Sequence, residues 1–398
     1  MSASGIVAAL AWHVMQPAAT FARNLAALTG RKLSDSALSE RRQALGTQPW
    51  LDALDTMLRP VADTKLHPHA FYKGLCLKGT DGTTFNVANT PAMKRRSVKT
   101  KARRGSSAFH RIGCAALVEL GTHNPVSVRV AHNNESESAL ARQLITQLHA
   151  TDLFMADRYY GSGKWAARLL ELPQKPRFML RVQERLKAKR VQRLRDGSCI
   201  VKVKDPDTGQ FVTLREIKGC VRRVGHRWVK VRFWTNLLDH KRYPAEELLQ
   251  LYGMRWEQEI AFRELKHYLQ DDNLLLSHTA VTAVQEICSL FMAQAVVARI
   301  RSRTAANHKI PVLQISFAKT LNACRNFGWL MSIAGHILTQ AQFRLIAEAI
   351  EGHVAEQASA KRRKRSCPRM VRQPINKWHR LMKNHYEIGE FTYRLRKS

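Results

Sequence analysis

The order of secondary-structure patterns between residues 75 and 182 limits this chain to few folds. Strand-like apolar segments occur at 75–77 leading into 81–87, and at 112–120, 126–130, 153–157 and 177–182. Helical patterns occur at 138–149 and 164–172. Strands that alternate with helices in this order predict an α/β fold, a mixed sheet with helices on its faces.

The segments outside this pattern predict further domains. Residues 183–243 contain short alternating segments, at 199–203, 211–217, 220–224 and 228–237, that are typical of a small antiparallel β-insertion. Between Val182 and Arg242 there are seventeen Lys and Arg against six Asp and Glu. Pro244 opens a pattern that predicts one long helix, with Glu246 and Glu247 in its favourable first turn. We therefore predict an N-terminal helical, DNA-binding domain at 1–70, a core at 71–182 and 244–330, the insertion at 183–243, and a helical, basic C-terminal region at 331–398 for DNA contact or dimerisation.

The charge of the chain points to a polyanionic partner. Its 398 residues carry 65 Lys and Arg against 31 Asp and Glu, a net charge of +34, with the 45% hydrophobic content of a folded protein. This excess disfavours an ordinary enzyme of small molecules and favours nucleic acid as the partner. An anionic membrane surface is the weaker option, because we identify no apolar stretch long enough to span and no secretory signal.

The cysteines disfavour a zinc site. There are seven, none in a Cys-x-x-Cys pair and none accompanied by a paired histidine spacing. An odd count in apolar surroundings predicts reduced core cysteines in a cytosolic protein.

Three acidic residues occupy informative places in the pattern. Asp81 lies in or at the end of the first strand, Asp157 ends the apolar strand 153–156, and Glu259 lies in the predicted long helix. Magnesium prefers oxygen ligands and keeps several waters, so two or three carboxylates suffice to hold it. Simpler interpretations stay open, since Asp81-Gly82 is also a good hairpin turn and Asp157 could be a cap or pair with Arg158.

Four polar residues share one side of the predicted long helix. At about 100° per residue, Tyr252, Arg255, Glu259 and Lys266 fall within a stripe about 60° wide. A surface helix with ordinary ion pairs would show the same spacing. A carboxylate in a basic, partly buried stripe is also typical of a metal ligand beside phosphate-binding groups.

Three segments together resemble a known family. They are Asp81-Gly-Thr-Thr84, Ala156-Asp-Arg-Tyr-Tyr160 and Tyr252-x2-Arg255-x3-Glu259-x6-Lys266. The chain is similar at these positions to bacterial insertion-sequence DDE transposases of the insertion-sequence-four type, and the segment Arg31–Arg42 resembles them too. The last signature is the most specific, because four residue types must fall at fixed spacings.

The resemblance implies a fold and a chemistry. It implies a ribonuclease-H-like core with a β-rich insertion before the last catalytic helix. Asp81, Asp157 and Glu259 would be the catalytic residues and would hold two Mg²⁺ or Mn²⁺ ions. Tyr252, Arg255 and Lys266 would contact the DNA backbone near the scissile phosphate.

Basic runs and tryptophans supply further DNA-binding candidates. Residues 94–104 hold seven Lys and Arg with no acid, among them Arg95, Arg96, Arg103 and Arg104, and residues 361–380 hold nine. Such runs bind phosphates without sequence preference, or are only solvated charge. The resemblance also implies a tryptophan of the insertion that replaces a flipped base; Trp228 and Trp234 are the candidates, and a core role is the alternative for each.

These observations together predict a cut-and-paste DNA transposase. It would bind the terminal inverted repeats of its own element and target DNA, work as a homodimer on paired ends, and reside in the bacterial cytoplasm at the nucleoid. Two alternatives stay open: a ribonuclease-H-like nuclease or resolvase that cuts without joining, and a non-catalytic DNA-binding derivative of a transposase.

Overall fold

In the computed structural model, helices begin where the sequence offers a capping side chain. Ser2, Thr20, Ser34 and Thr279 each accept the backbone N–H three residues further on, which satisfies a donor that the first helical turn leaves unpaired. The helices are α1 Ala3–Met15, α2 Phe21–Thr29, α3 Asp35–Leu45, α4 Gln48–Met57, α5 Pro91–Lys94, α6 Glu137–Leu144, α7 Gly163–Glu171, α8 Ala245–Leu251, α9 Trp256–Glu264, α10 Ala280–His308, α11 Phe317–Ala334 and α12 Gln340–Glu356.

The strands predicted between residues 75 and 182 occur in the predicted order; short strands that were not predicted accompany them, and β13 to β15 lie in the C-terminal region that was predicted to be helical. They are β1 Phe71–Tyr72, β2 Leu75–Val87, β3 Lys101–Ala102, β4 Gly105–Ser106, β5 His110–Glu119, β6 Asn124–Val130, β7 Asp152–Ala156, β8 Arg177–Arg181, β9 Lys189–Arg193, β10 Cys199–Lys204, β11 Phe211–Arg223, β12 Val229–Thr235, β13 Val371–Arg372, β14 His379–Arg380 and β15 Phe391–Leu395. The described residues are 2–16, 18–95, 97, 101–102, 105–106, 108–131, 134–223, 228–271, 274–335, 337–359 and the strands β13 to β15.

Contacts divide the chain into two compact units. The first unit comprises residues 1–148 and 256–359, and the second comprises residues 149–255 and 360–398. The chain therefore leaves the first unit after α6 and returns to it at the start of α9. The predicted domain boundaries stay a prediction, because compactness alone does not assign a role to a segment.

The first unit is built on an antiparallel sheet. Strand β5 pairs with β2 on one side and with β6 on the other, and β1 pairs with β2. Alternate residues of β5, at 112, 114, 116 and 118, join a core with α1, α4, α9 and α10, as the two-residue period of a strand requires. Helix α6 packs on the same strands. The apolar face of β5 therefore belongs to the same core as the long helix α10.

The second unit contains a mixed sheet. Strands β7 and β8 are parallel, with Ala156 beside Leu180, and α7 connects them. From β8 the sheet continues antiparallel through β12, β11, β10 and β9, and β15 also pairs with β11. Strands β9 to β12 form the β-rich insertion that the sequence predicted.

Two strands of the insertion, β9 and β11, differ from the prediction. Strand β9 was not predicted; all its residues are exposed and basic or polar apart from Val191, so no apolar alternation marks it. The segments 211–217 and 220–224 were predicted as separate strands, but residues 211–223 form the single strand β11, because Gly219 continues the pairing with Val231.

Helix α10 is long and apolar enough to cross a membrane, which the sequence analysis did not recognise. It spans 29 residues, and 78% of its most apolar stretch is buried within the protein. Its apolar residues pack against β5, β6 and α1 in the core of the first unit. The apolarity of α10 is accounted for by this core position.

Candidate active site

Asp81 lies in the middle of β2, in the first unit. It stands directly opposite Ala116 of β5, and its Oδ1 accepts the Gly82 backbone N–H at 2.9 Å. The two-residue period of a strand puts Asp81 on the same face as Phe85, which belongs to the core around α10. The hairpin-turn interpretation of Asp81-Gly82 is therefore wrong, because both residues lie inside a continuous strand.

Helix α9 packs against β2, the strand that carries Asp81. The buried Gln258 brings its Nε2 to 3.5 Å from the carbonyl oxygen of Ala116, the residue opposite Asp81. Just beyond α9, Lys266 donates from Nζ to the Thr84 carbonyl oxygen at 2.8 Å and lies 5.5 Å from the Phe85 ring centre. In the sequence, Glu259 lies between Gln258 and Lys266, and its side chain is exposed.

The prediction of one long helix from Pro244 is wrong in one respect, because the helix is interrupted. Helix α8 ends at Leu251, residues 252–255 form a 3₁₀ turn, α9 follows, and residues 265–269 form a π-helical turn. Gly253 lowers the helix propensity at the break. The four residues of the stripe therefore lie on three different helical segments: Tyr252 and Arg255 in the second unit, Glu259 and Lys266 in the first.

Asp157 directly follows β7 in the second unit. Its Oδ1 accepts the Tyr159 backbone N–H at 2.7 Å, the hydrogen bond of an aspartate that initiates a turn. The turn then passes so close to β8 that a Cβ on Gly161 would lie 1.8 Å from the Arg181 carbonyl oxygen. Only glycine fits at that position, so the turn after Asp157 is held against the end of β8.

Tyr252 also contacts the end of β7. Its hydroxyl donates to the carbonyl oxygen of Ala156 at 3.2 Å, and its ring packs on Phe233, with 4.3 Å between ring centres. Burial raises the pKa of Tyr252 well above its usual value, although Arg255 and Arg181 lower it. Tyr252 therefore stays protonated at neutral pH and can donate a hydrogen bond.

Arg181 is a candidate site residue that the sequence analysis missed. It ends β8, one position beyond Leu180, which lies beside Ala156 in the parallel strand β7. Burial lowers the pKa of Arg181, Arg158 and Arg255 lower it further, and Tyr252 and Asp157 raise it. Arg181 lies near the end of a predicted strand, as Asp157 does, but the sequence does not show that the two strands are parallel neighbours.

The remaining DNA-binding candidates differ in exposure. Trp234 is 1% exposed, and its indole N–H donates to Glu216 at 3.1 Å. Trp228 is half-buried, with the guanidinium of Arg222 5.0 Å from its ring centre. Arg95 is exposed and lines a cavity of about 470 Å³ in the first unit. Arg96, Arg103, Arg104 and most of the basic tail lie outside the described residues.

A family model described as "Transposase DDE domain" matches residues 79–294, more than half of the chain. The chain belongs to the DDE transposase family. The matched segment contains Asp81, Asp157 and Glu259 as well as the β-insertion. The family resemblance predicted from the sequence is thus confirmed, and so is the mixed α/β fold, which is ribonuclease-H-like in this family.

Two individual transposases resemble the chain at low sequence identity. The transposase InsG of insertion sequence element IS4 from Escherichia coli K12 is 26% identical over 254 residues, which cover 61% of this chain and 55% of InsG. A piggyBac transposase synaptic complex with hairpin DNA has a TM-score of 0.40 at 9% identity, covering 70% of this chain and 57% of that one. This transposase-family chain thus spans little more than half the length of the relatives it matches.

The carboxylates fit a divalent metal by their chemistry. DDE transposases generally use divalent metal ions, and hard cations prefer the carboxylate oxygens that Asp81, Asp157 and Glu259 offer. Backbone N–H groups already orient the two aspartates, and an ionised carboxylate accepts more than one partner. Within the described part of the chain, no three His, Cys, Asp or Glu side chains form a group that could hold a metal ion.

Proposed function

We propose that this protein is the cut-and-paste transposase of an insertion sequence. It binds the terminal inverted repeats of its element, cleaves DNA strands there, and joins the freed 3′-hydroxyls to target DNA. The observation that carries the proposal is the group of cationic and hydrogen-bonding side chains around Asp157. Arg158, Arg181, Arg255 and Tyr252 all interact electrostatically in this part of the second unit.

This group suits a phosphodiester substrate. Guanidinium groups donate to phosphate oxygens in a forked geometry, which fixes the orientation of the phosphate as well as attracting it. Lys266 adds a point charge beside the strand that carries Asp81. Tyr252 would support the site by holding the end of β7, because its one O–H donates to the Ala156 carbonyl oxygen. The arginines and Lys266 would hold the DNA backbone and neutralise its charge.

Asp81, Asp157 and Glu259 are the proposed catalytic carboxylates, and they would hold two Mg²⁺ or Mn²⁺ ions. Such ions, when bound, activate a water or hydroxyl nucleophile and stabilise the leaving oxygen. The protein's own contribution is orientation. Gly82 N–H fixes the carboxylate of Asp81, and Tyr159 N–H fixes that of Asp157.

Base stacking is assigned to Trp228 rather than Trp234. Trp234 has neither an exposed ring face nor an unused N–H, because it is buried and bonded to Glu216. Trp228 is half-buried at the start of β12, next to Arg222. Aromatic side chains in such places stack on unpaired bases without sequence preference.

Assembly and further contacts follow from the same proposal. A homodimer on paired ends would bring two element ends together, and the basic run with Arg95, Arg96, Arg103 and Arg104 would add sequence-independent phosphate contacts. Residues 1–70 and 331–398 are proposed for end recognition and for DNA contact or dimerisation. A site of action at the bacterial nucleoid follows from such a substrate.

The proposal is tested with the DNA that flanks the coding region. The purified protein is incubated with labelled duplexes that carry each flank, in Mg²⁺. We expect protection of short inverted repeats and nicks at their ends, with a new 3′-hydroxyl. A protein that nicks unrelated duplexes at the same rate would instead be a general nuclease, and the proposal would fail.

Arg181→Gln should weaken DNA binding. Loss of one phosphate contact lowers the affinity for duplexes of any sequence and reduces the slope of log affinity against log salt by about 1. The measurement is a salt titration of binding by fluorescence anisotropy. Arg177→Gln is the matched control, since Arg177 is exposed at the other end of β8 and should leave the slope unchanged. Equal slopes for Arg181→Gln and wild type would contradict the assignment.

A further inference from the structure

Four charged side chains form a buried cluster in the first unit, which we name the His123 quartet. His123 Nδ1 lies 2.8 Å from Glu264 Oε2, and His123 Nε2 lies 2.8 Å from Glu257 Oε2. Arg301 of α10 reaches the same Glu264 oxygen from Nη1 at 3.2 Å. The side chain of His123 is 1% exposed and that of Arg301 2%. None of the four residues was singled out by the sequence analysis.

The geometry suits a charged imidazole. An ionised carboxylate only accepts hydrogen bonds, so both ring nitrogens of His123 donate when Glu257 and Glu264 are ionised. Burial lowers the pKa of His123, but the carboxylates of Glu264 and Glu257 outweigh it and raise the pKa overall. Two cations then face two anions, and the quartet is neutral as a whole. Buried charges are tolerated when they are paired in this way.

The backbone at His123 is strained. Residue 123 belongs to the turn between β5 and β6 and has a φ of 59°, in the left-handed region that favours glycine or asparagine. A hydrogen bond from its N–H to the Glu119 carbonyl oxygen, at 2.9 Å, closes the turn. The turn therefore holds the imidazole in a fixed direction, against α9.

His123 binds α9 on one side, through Glu257 and Glu264. At about 100° per residue, Glu257 and Glu264 differ by only about 20° around the helix, whereas Glu259 lies about 160° from Glu257. Gln258 points between these two sides, toward the strands. On the side of Glu259, the chain is held by Lys266 through the Thr84 carbonyl oxygen. Attachments on both sides fix the rotation of α9 about its own axis.

We infer that His123 is a positioning residue for Glu259. Its imidazolium binds α9 through Glu257 and Glu264 and sets the rotation at which the helix presents Glu259. Without it, Glu257 and Glu264 lose the cation that joins them to the turn between β5 and β6, and α9 turns or shifts. The inference rests on the proposed metal-binding role of Glu259, and it adds a residue that touches neither metal nor DNA.

The test measures metal binding as well as catalysis. His123→Asn keeps a residue that tolerates a positive φ and removes the charge. Mn²⁺ affinity is measured by electron paramagnetic resonance on the full chain without DNA, with Asp81→Asn to define the signal of the site. We expect His123→Asn to bind Mn²⁺ about tenfold more weakly, as loss of a group that orients a ligand does. Cleavage should need correspondingly more Mn²⁺, with unchanged DNA affinity.

A control separates positioning from stability. Leu25→Ala opens a cavity in α2, in a separate apolar cluster with Ala9 and Leu38, and should lower the melting temperature. It should leave Mn²⁺ affinity at the wild-type value. If His123→Asn behaves like Leu25→Ala, with a lower melting temperature and unchanged Mn²⁺ affinity, the inference is overturned.

A second variant tests the inference if His123→Asn does not fold. Glu264→Gln keeps the side-chain shape and removes one charge of the quartet, so it should weaken Mn²⁺ binding in the same direction by a smaller factor; wild-type affinity would overturn the inference. Failure of the proposed function looks different. The wild-type protein would then bind Mn²⁺ at the site that Asp81→Asn removes, without cleaving the ends of its element.

Discussion

Glu259→Gln and Asp81→Asn should each lower the rate of DNA strand cleavage by about a thousandfold. A bound metal supplies several kcal/mol of transition-state stabilisation, and each 1.4 kcal/mol corresponds to a factor of ten. Both changes keep the size of the side chain. In Asp81→Asn the amide oxygen can still accept the Gly82 N–H, so the strand should stay intact. The measurement is single-turnover cleavage of a labelled element end.

The matched control for Glu259 is Glu348→Gln. Glu348 is likewise an exposed glutamate on a helix of the first unit, α12, and it should retain wild-type cleavage. Binding of the element end should be unchanged in all three variants, within about twofold of wild type, which is well under 1 kcal/mol. Wild-type cleavage by Glu259→Gln would remove Glu259 from the proposed site.

Arg215→Met should destabilise the β-insertion by about 3–5 kcal/mol, the cost of removing one partner from a buried ion pair. Arg215 is fully buried in β11 and donates to Ser198 and to the carbonyl oxygens of Leu237 and Tyr243. It also pairs with Asp196. Methionine fills the volume but leaves these acceptors without their donor.

The loss is measured as the hydrogen-exchange free energy of the amides in β10 to β12. Lys202→Met on β10 is the control, because Lys202 is exposed and surface changes usually stay within about 0.5 kcal/mol. Unchanged protection in Arg215→Met would show that the hydrogen bonds of Arg215 contribute little to the insertion. The DNA affinity of Arg215→Met should decrease only where the second unit unfolds.

The strand order was predictable because apolar alternation marks each strand that is half-buried. Strand β5 carries that signal at 112, 114, 116 and 118, and it was recognised. Strand β9 carries no such signal, since both its faces are exposed, and it was missed. The break at Tyr252 was missed because an isolated glycine within a strong helical pattern is tolerated and does not by itself predict an interruption.

The candidate site was predictable only where its residues form a local motif. Tyr252, Arg255, Glu259 and Lys266 lie at fixed spacings, which the sequence displays directly. Arg181 depends on the parallel pairing of β7 with β8, which had to be known before its place beside Asp157 could be seen. The His123 quartet joins residues up to 178 positions apart, and no spacing in the sequence relates them.

The joining reaction tests the central claim most directly. Labelled element ends with a free 3′-hydroxyl are incubated with the protein, a target plasmid and Mg²⁺, and covalently joined products are separated on a denaturing gel. We expect joined products with the wild-type protein and none with Asp157→Asn, which should bind the ends equally well. Joined products at wild-type yield from Asp157→Asn would contradict the assignment, and cleavage without any joining by the wild-type protein would contradict transposition itself.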